Sequence, residues 1–311
     1  MNLMEIPPFR DAHMHFIIDG RPAAREVAVI GGNYAGRGIF SVNEMGHRSG
    51  IGLEAKVILS GTVSVRSAGY AIHRKGTYGA FLGKSVAGKE EIKRAVREIA
   101  EAGADFVKVI NSGIVCTEGA DLVTEGGFTR EELRIIIAEA GERDLNVVCH
   151  ANSDRAIREA VGAGAVSIEH GYFVSAATLH MMAEAGVAWT PTVSALLSLS
   201  PALRPPERAY IEKAVEGHLS SIYYASSIGV KLNIGTDGGS KGVPHGEPFF
   251  DELQMFRKAG LTFEQILSAA CMGNDEIEKG NFLVVKKDFI ASRKIEAIFK
   301  DGKQIPKSRV S

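Results

Sequence analysis

The fold class this sequence predicts is α/β: a (β/α)8 barrel with a small, truncated β appendage at its C-terminus. Three observations predict it. Short runs rich in Val and Ile alternate with longer segments of helical period. Runs such as Val147-Val148-Cys149 show little polar alternation, as strands buried on both faces of a parallel sheet do. Residues of ligand type recur at the ends of these runs, where barrel active sites are built. The length of 311 residues suits one barrel of roughly 250 residues plus an addition. The expected division is a barrel over 1–274 and the appendage over 275–311.

The first strand, Pro8–Phe16, contains Asp11-Ala12-His13-Met14-His15. Alternate residues share a strand face, so His13 and His15 aim together with Asp11 behind them. Two converging imidazoles are a natural ligand pair for a divalent metal. Pro22–Ile30 reads as the first connecting helix. Strands are expected next at Gly38–Asn43 and at Lys56–Thr62, the latter on the apolar run Val57-Ile58-Leu59. The glycine-rich stretch Val63–Ala87 has little periodicity and reads as a long functional loop. In Lys89–Gly103, Ile92, Ala95, Val96 and Ile99 form a helical stripe, with Glu90 and Arg94 paired on the wet face.

The fourth strand, Asp105–Asn111, carries Lys108. Thr129-Arg130-Glu131-Glu132 reads as a capping box opening the next helix. The fifth strand, Asn146–Ala151, ends near His150, and the sixth, Val166–His170, ends in Glu169-His170. Helices are expected at Ser153–Ala163 and Ser175–Ala185, each stopped by glycine. The seventh strand, Val187–Val193, contains Trp189, expected in the barrel core. Ser194–Pro206, with three prolines, is a second expected loop. A long helix over Glu207–Ile228 leads to the eighth strand, Val230–Thr236, and then to Asp237. Helices at Asp251–Ala259 and Thr262–Cys271 follow. Beyond them, Asn281–Lys286, Lys294–Lys300 and Gln304-Ile305 read as short strands around an Asp301-Gly302 turn.

Composition narrows the function class. The 36 basic and 37 acidic residues leave a formal charge of −1, which gives no electrostatic case for nucleic acid or an anionic membrane. Cys116, Cys149 and Cys271 are scattered and odd in number, so a reducing, cytoplasmic setting fits best. Glu5 and Pro7-Pro8 stand where a signal peptide needs a basic start and an apolar core. No apolar run reaches the roughly 18 residues of a membrane span. A small-molecule substrate is the expected partner.

The order His13-x-His15, Lys108, His150, His170, Asp237 resembles the amidohydrolase superfamily of metal-dependent hydrolases. Gly103-Ala104-Asp105-Phe106-Val107-Lys108-Val109, Ser167-Ile168-Glu169-His170-Gly171 and Ile234-Gly235-Thr236-Asp237 are similar to the branch containing Xaa-Pro dipeptidases and imidazolonepropionases. The similarity runs from about Asp11 to Glu247. It implies two divalent ions, with zinc expected first and manganese or iron as alternatives. His13, His15 and Asp237 would hold the more buried ion and His150 and His170 the more exposed one. Lys108 would bridge them as an N6-carboxylated lysine.

The implied chemistry is a metal-activated hydroxide cleaving an amide-type C–N bond in a dipeptide, an N-acyl amino acid or a cyclic amide. Asp237 would act as general base and then acid. Loop residues His73, Arg66, Arg74, Arg204 and His245 are candidates to bind substrate, the arginines through a carboxylate. Tyr70 and Tyr78 are candidate pocket walls. Rival readings are a lactonase, a single-metal deaminase, and a catalytically inactive metal-binding or assembly subunit. The deaminase is disfavoured because Ala151-Asn152-Ser153-Asp154 follows His150 where an H-x-x-E arrangement is needed. Relatives begin with a longer β-rich segment, whereas residues 1–7 alone precede the first strand here. Unfilled sheet edges in the small β unit therefore lead us to expect a homo-oligomer.

Overall fold

The computed structural model describes residues 3–116 and 123–308. Seven regular strands build the barrel wall: Phe9–Met14, Ile39–Glu44, Ser64–Ser67, Val107–Ile110, Val147–Ser153, Ser167–Phe173 and Ala188–Thr190. The first three pair in parallel, and the last four pair in parallel in chain order. Individual hydrogen bonds cross the seams. Asp105 N–H donates to the Ser67 carbonyl at 2.8 Å, joining the third strand to the fourth. The eighth position, residues 231–238, makes isolated bridges rather than a regular strand. It is tied to the seventh strand by Asn233 N–H to Trp189 O, and to the first by Ala12 N–H to Ile234 O, both 2.8 Å. Gly235 has a steric reason here: a Cβ would come within 2.9 Å of the His13 nitrogen.

The helices follow from their sequences. Gly88–Glu101 buries Ile92, Ala95, Val96 and Ile99. Arg130–Gly141 opens on the full capping box, with Thr129 Oγ1 accepting from Glu132 N–H at 3.2 Å and Glu132 Oε2 accepting from Thr129 N–H at 2.8 Å. Ser153 and Ser175 cap the helices Asp154–Ala163 and Ala176–Ala185, which end on left-handed Gly164 and Gly186. The first helix lies later than expected, at Val27–Ala35.

Three expectations are corrected. Lys56–Thr62 is not the third strand; Ile51–Ile58 is a helix and the strand is Ser64–Ser67. The helix buries Ile51 and Ala55, with Leu59 beneath its end, while Val57 and Ile58 are 78% and 47% exposed. Spacing of four decides it, and the apolar triplet alone did not separate helix from strand. Val63–Ala87 is not a plain loop, since Ala71–Arg74 and Gly83–Val86 form strands that extend the sheet from Val107–Ile110. Ser194–Pro206 likewise contains helical turns, Val193–Ser198 and Ser200–Ala202.

The C-terminal strands Phe282–Lys286, Ile295–Lys300 and Lys303–Gln304 form one sheet with Leu3–Ile6, which pairs antiparallel with Phe282–Lys286. One edge that the sequence left open is thus covered by the start of the chain itself. Leu283, Val285, Phe289 and Ile298 are buried in the same core as the barrel residues. The Phe289 ring stacks on Phe9 of the first strand at 6.0 Å.

Candidate metal centre

Strand ends bring the predicted residues together. His13 and His15 are buried, and the Nε2 atoms of both lie 3.4 Å from Asp237 Oδ1. Their ligand atoms and that of Asp237 all lie within 4.8 Å of one another. The His170 ring lies 4.8 Å from that of His13 and 4.6 Å from that of His150, centroid to centroid. Lys108, His150 and Asp237 line the same cavity.

Each imidazole has one ring nitrogen engaged by a group other than Asp237, and the opposite nitrogens of His13 and His15 face Asp237. Nδ1 of His13 meets Glu169 Oε2 at 2.6 Å, and Nδ1 of His15 meets the Gly46 carbonyl at 3.0 Å. Nδ1 of His170 meets Thr192 Oγ1 at 2.7 Å. His150 is reversed, with Nε2 against the Gly113 carbonyl at 3.1 Å. A ring N–H donating outward fixes the tautomer and leaves the opposite nitrogen with a lone pair for a metal. Burial, aided by Lys108, pushes His150 down to about 4, and burial holds His170 well below the usual range. Both are neutral at physiological pH, as ligands must be. Although burial opposes its charge, the His13 and His15 imidazoles hold the Asp237 carboxyl well below the usual carboxylate range.

Lys108 is 1% exposed, and its Nζ has no hydrogen-bond partner among the described residues. Burial lowers its pKa, partly opposed by Glu169 and Asp237. A buried amine pushed toward its neutral form, with nothing to bond, fits a residue that is modified or capped by a charged group. The donor set of four imidazoles, a carboxylate and this amine is chemically suited to a divalent pair.

Several partners of these side chains carry no signal in the sequence, and the strand pattern gives Glu169 no role. Neighbours on a regular strand face opposite sides, but His170 has φ +66°, and that left-handed turn lets both Glu169 and His170 reach the site. Glu44 shapes the turn behind His15, accepting from Ser67 Oγ at 2.6 Å and from Gly46 N–H at 3.0 Å. Gly46, Gly113 and Thr192 act through backbone or hydroxyl groups, and only the tertiary fold reveals them.

The proposed substrate-binding residues lie elsewhere. Arg74 pairs with Glu132 at 3.4 Å, Arg204 with Glu207, and Arg66 packs over the Phe106 ring. His73 faces the Arg74 carbonyl, and His245 Nε2 bonds the His15 carbonyl at 2.8 Å. None of these five lines the cavity. Tyr70 is engaged with Glu98 and Lys84, and Trp189 is fully buried in the core. Tyr78 does line the cavity, which holds about 690 Å³ and is walled by Ile17, Phe81, Leu82, Ile114, Tyr172 and Leu199. Asp19 and Lys241 are among its lining residues.

Residues 6–277 match the family model described as the amidohydrolase family. The chain belongs to the amidohydrolase family. Among curated relatives of this amidohydrolase, the ochratoxinase of Aspergillus niger is 28% identical over 253 residues, covering 80% of this chain and 50% of that protein. The chain thus spans about half the length of the curated relatives it matches. An uncharacterized Mycobacterium tuberculosis protein is 28% identical over 188 residues, covering 59% of this chain and 50% of its own length. In structure, a Xaa-Pro dipeptidase with bound methionine superposes with a TM-score of 0.80 at 21% identity, covering 98% of this chain and 87% of the other. The A. niger ochratoxinase structure gives 0.79 at 23%, covering 98% and 83%. These likenesses show that the fold is a TIM barrel. No helix among the described residues is long and apolar enough to cross a membrane.

Proposed function

We propose that this amidohydrolase is a binuclear metal hydrolase that cleaves an amide C–N bond beside a bulky apolar group. The observation that carries the proposal is the set of four histidines, each with one ring nitrogen engaged by a group outside the donor set, lining one cavity with Lys108 and Asp237. His13, His15 and Asp237 would hold one divalent ion and His150 and His170 the other, with Lys108, carboxylated, shared between them. Zinc is the ion we expect. When bound, the ions supply Lewis-acid chemistry, acidifying water and polarising a carbonyl. Asp237 holds the water proton on its carboxylate and delivers it to the leaving nitrogen. Glu169 keeps His13 in the tautomer that leaves Nε2 available.

The cavity supports the substrate class. Its walls are mostly apolar, and Phe81 and Ile114 are among the large hydrophobic residues left exposed. Among the described residues, Lys241 is the one lining cation apart from Lys108 and the histidines. It replaces the three arginines as the group suited to a substrate carboxylate. An N-acyl amino acid with a bulky apolar acyl group meets both requirements.

The test is metal content per chain on protein produced in zinc-supplemented medium, followed by hydrolysis of N-benzoyl and N-acetyl amino acids. About two ions are expected, falling on Lys108→Ala. Asp237→Asn should lower turnover by a factor on the order of 10²–10⁴, the usual range for a general acid–base group, while ions remain partly bound. Metal-free wild-type protein with an intact fold would sink the proposal.

A further inference from the structure

We infer that Thr192 is a positioning residue, diverted from its ordinary local role to orient His170. It lies just beyond the seventh strand, in a segment that supplies no proposed metal ligand. The inference rests on the metal reading above.

Three observations converge on Thr192. It is fully buried, with φ +49° and ψ +53°. A β-branched residue in the left-handed region is strained, and such strain persists only where the surroundings demand it. It also occupies the N-cap of the helix Val193–Ser198, where threonine hydroxyls normally accept a backbone N–H. Here its side chain makes no capping bond. Glu252, from the helix Pro248–Lys258, accepts from Ser194 N–H instead.

The freed hydroxyl meets Nδ1 of His170 at 2.7 Å. It is flanked by the Tyr172 hydroxyl, 3.1 Å from Oγ1 and 3.2 Å from the Thr192 carbonyl. The same segment grips His170 a second time, because Trp189 Nε1–H donates to the His170 carbonyl at 2.9 Å. His170 is itself left-handed, so its ring direction is not set by regular strand geometry. With the backbone carbonyl pinned by Trp189 and Nδ1–H accepted by Thr192, Nε2 is the nitrogen left for the metal.

The test measures zinc dissociation constants by competition with a chromophoric chelator. It compares wild type, Thr192→Val, Thr192→Ser and Thr192→Gly. Valine keeps the shape and the strain but removes the hydroxyl. One of the two zinc constants should weaken about 10–100-fold, the usual effect of losing such a partner, while the other stays within threefold. Serine should restore wild-type binding. Glycine relieves the strain and so guards against a misfolded valine variant; it should lose the same ion while unfolding no earlier than wild type. Wild-type constants in both Thr192→Val and Thr192→Gly would overturn the role. So would a serine variant as impaired as valine, since packing and not the hydroxyl would then matter. A wild type that binds fewer than two ions overturns the metal reading instead, and the positioning role falls with it.

Discussion

Glu252 is a buried carboxylate with no ion pair among the described residues, and burial raises its pKa to about 8. In the unfolded chain a glutamate titrates near 4.3. Between those values the folded protein binds the extra proton, so stability falls as pH rises through that window. Glu252→Gln keeps the shape without the titration. Thermal melts at pH 5 and pH 8 should show wild type losing more than the variant; equal losses would rule out this source of pH dependence. At this scale the residues that converge on one cavity were legible in the sequence, because H-x-H and single residues at strand ends are local patterns. The three loop arginines it singles out do not line that cavity. Arg74 is neutralised by Glu132, far along the chain, and no local pattern announces such a pairing.

Elements with strong end signals were legible. Thr129 makes the reciprocal capping bonds that its spacing predicts. Thr129→Ala should therefore cost about 1 kcal/mol, the usual value of an N-cap, read as a lower denaturant midpoint at unchanged slope. A loss near zero would mean that packing alone holds this helix end. Elements judged on a short apolar run were less legible. Val57-Ile58-Leu59 looked like a buried strand, but two of its three residues face outward from a helix. The eighth strand expected at Val230–Thr236 is not a regular strand: the backbone there bonds both neighbouring strands but forms only isolated bridges.

Across the whole molecule, one buried core spans the barrel and the small C-terminal sheet. The sequence predicts an appendage because short strands replace the strand–helix alternation after Cys271, and it leaves those strands short of partners. Only folding shows Leu3–Ile6 arriving from the other end of the chain. A shared core predicts a single cooperative unfolding transition. Leu283→Ala, at a fully buried position, should lower that transition as a whole, by the roughly 2–5 kcal/mol typical of such truncations. Two resolved transitions, with only the smaller one moved, would contradict it. The seam between the first strand and the eighth has a consequence in time. Asp11 bonds the Thr236 backbone and hydroxyl at 3.0 and 2.7 Å, across 225 residues of chain. Ribosomes add about 5–20 residues per second, so the two sides of this seam are synthesised roughly 10–45 s apart. Throughout that interval the nascent chain carries His13 and His15 without Asp237. The newborn protein therefore has a pair of histidines open to any stray ion well before it has a site.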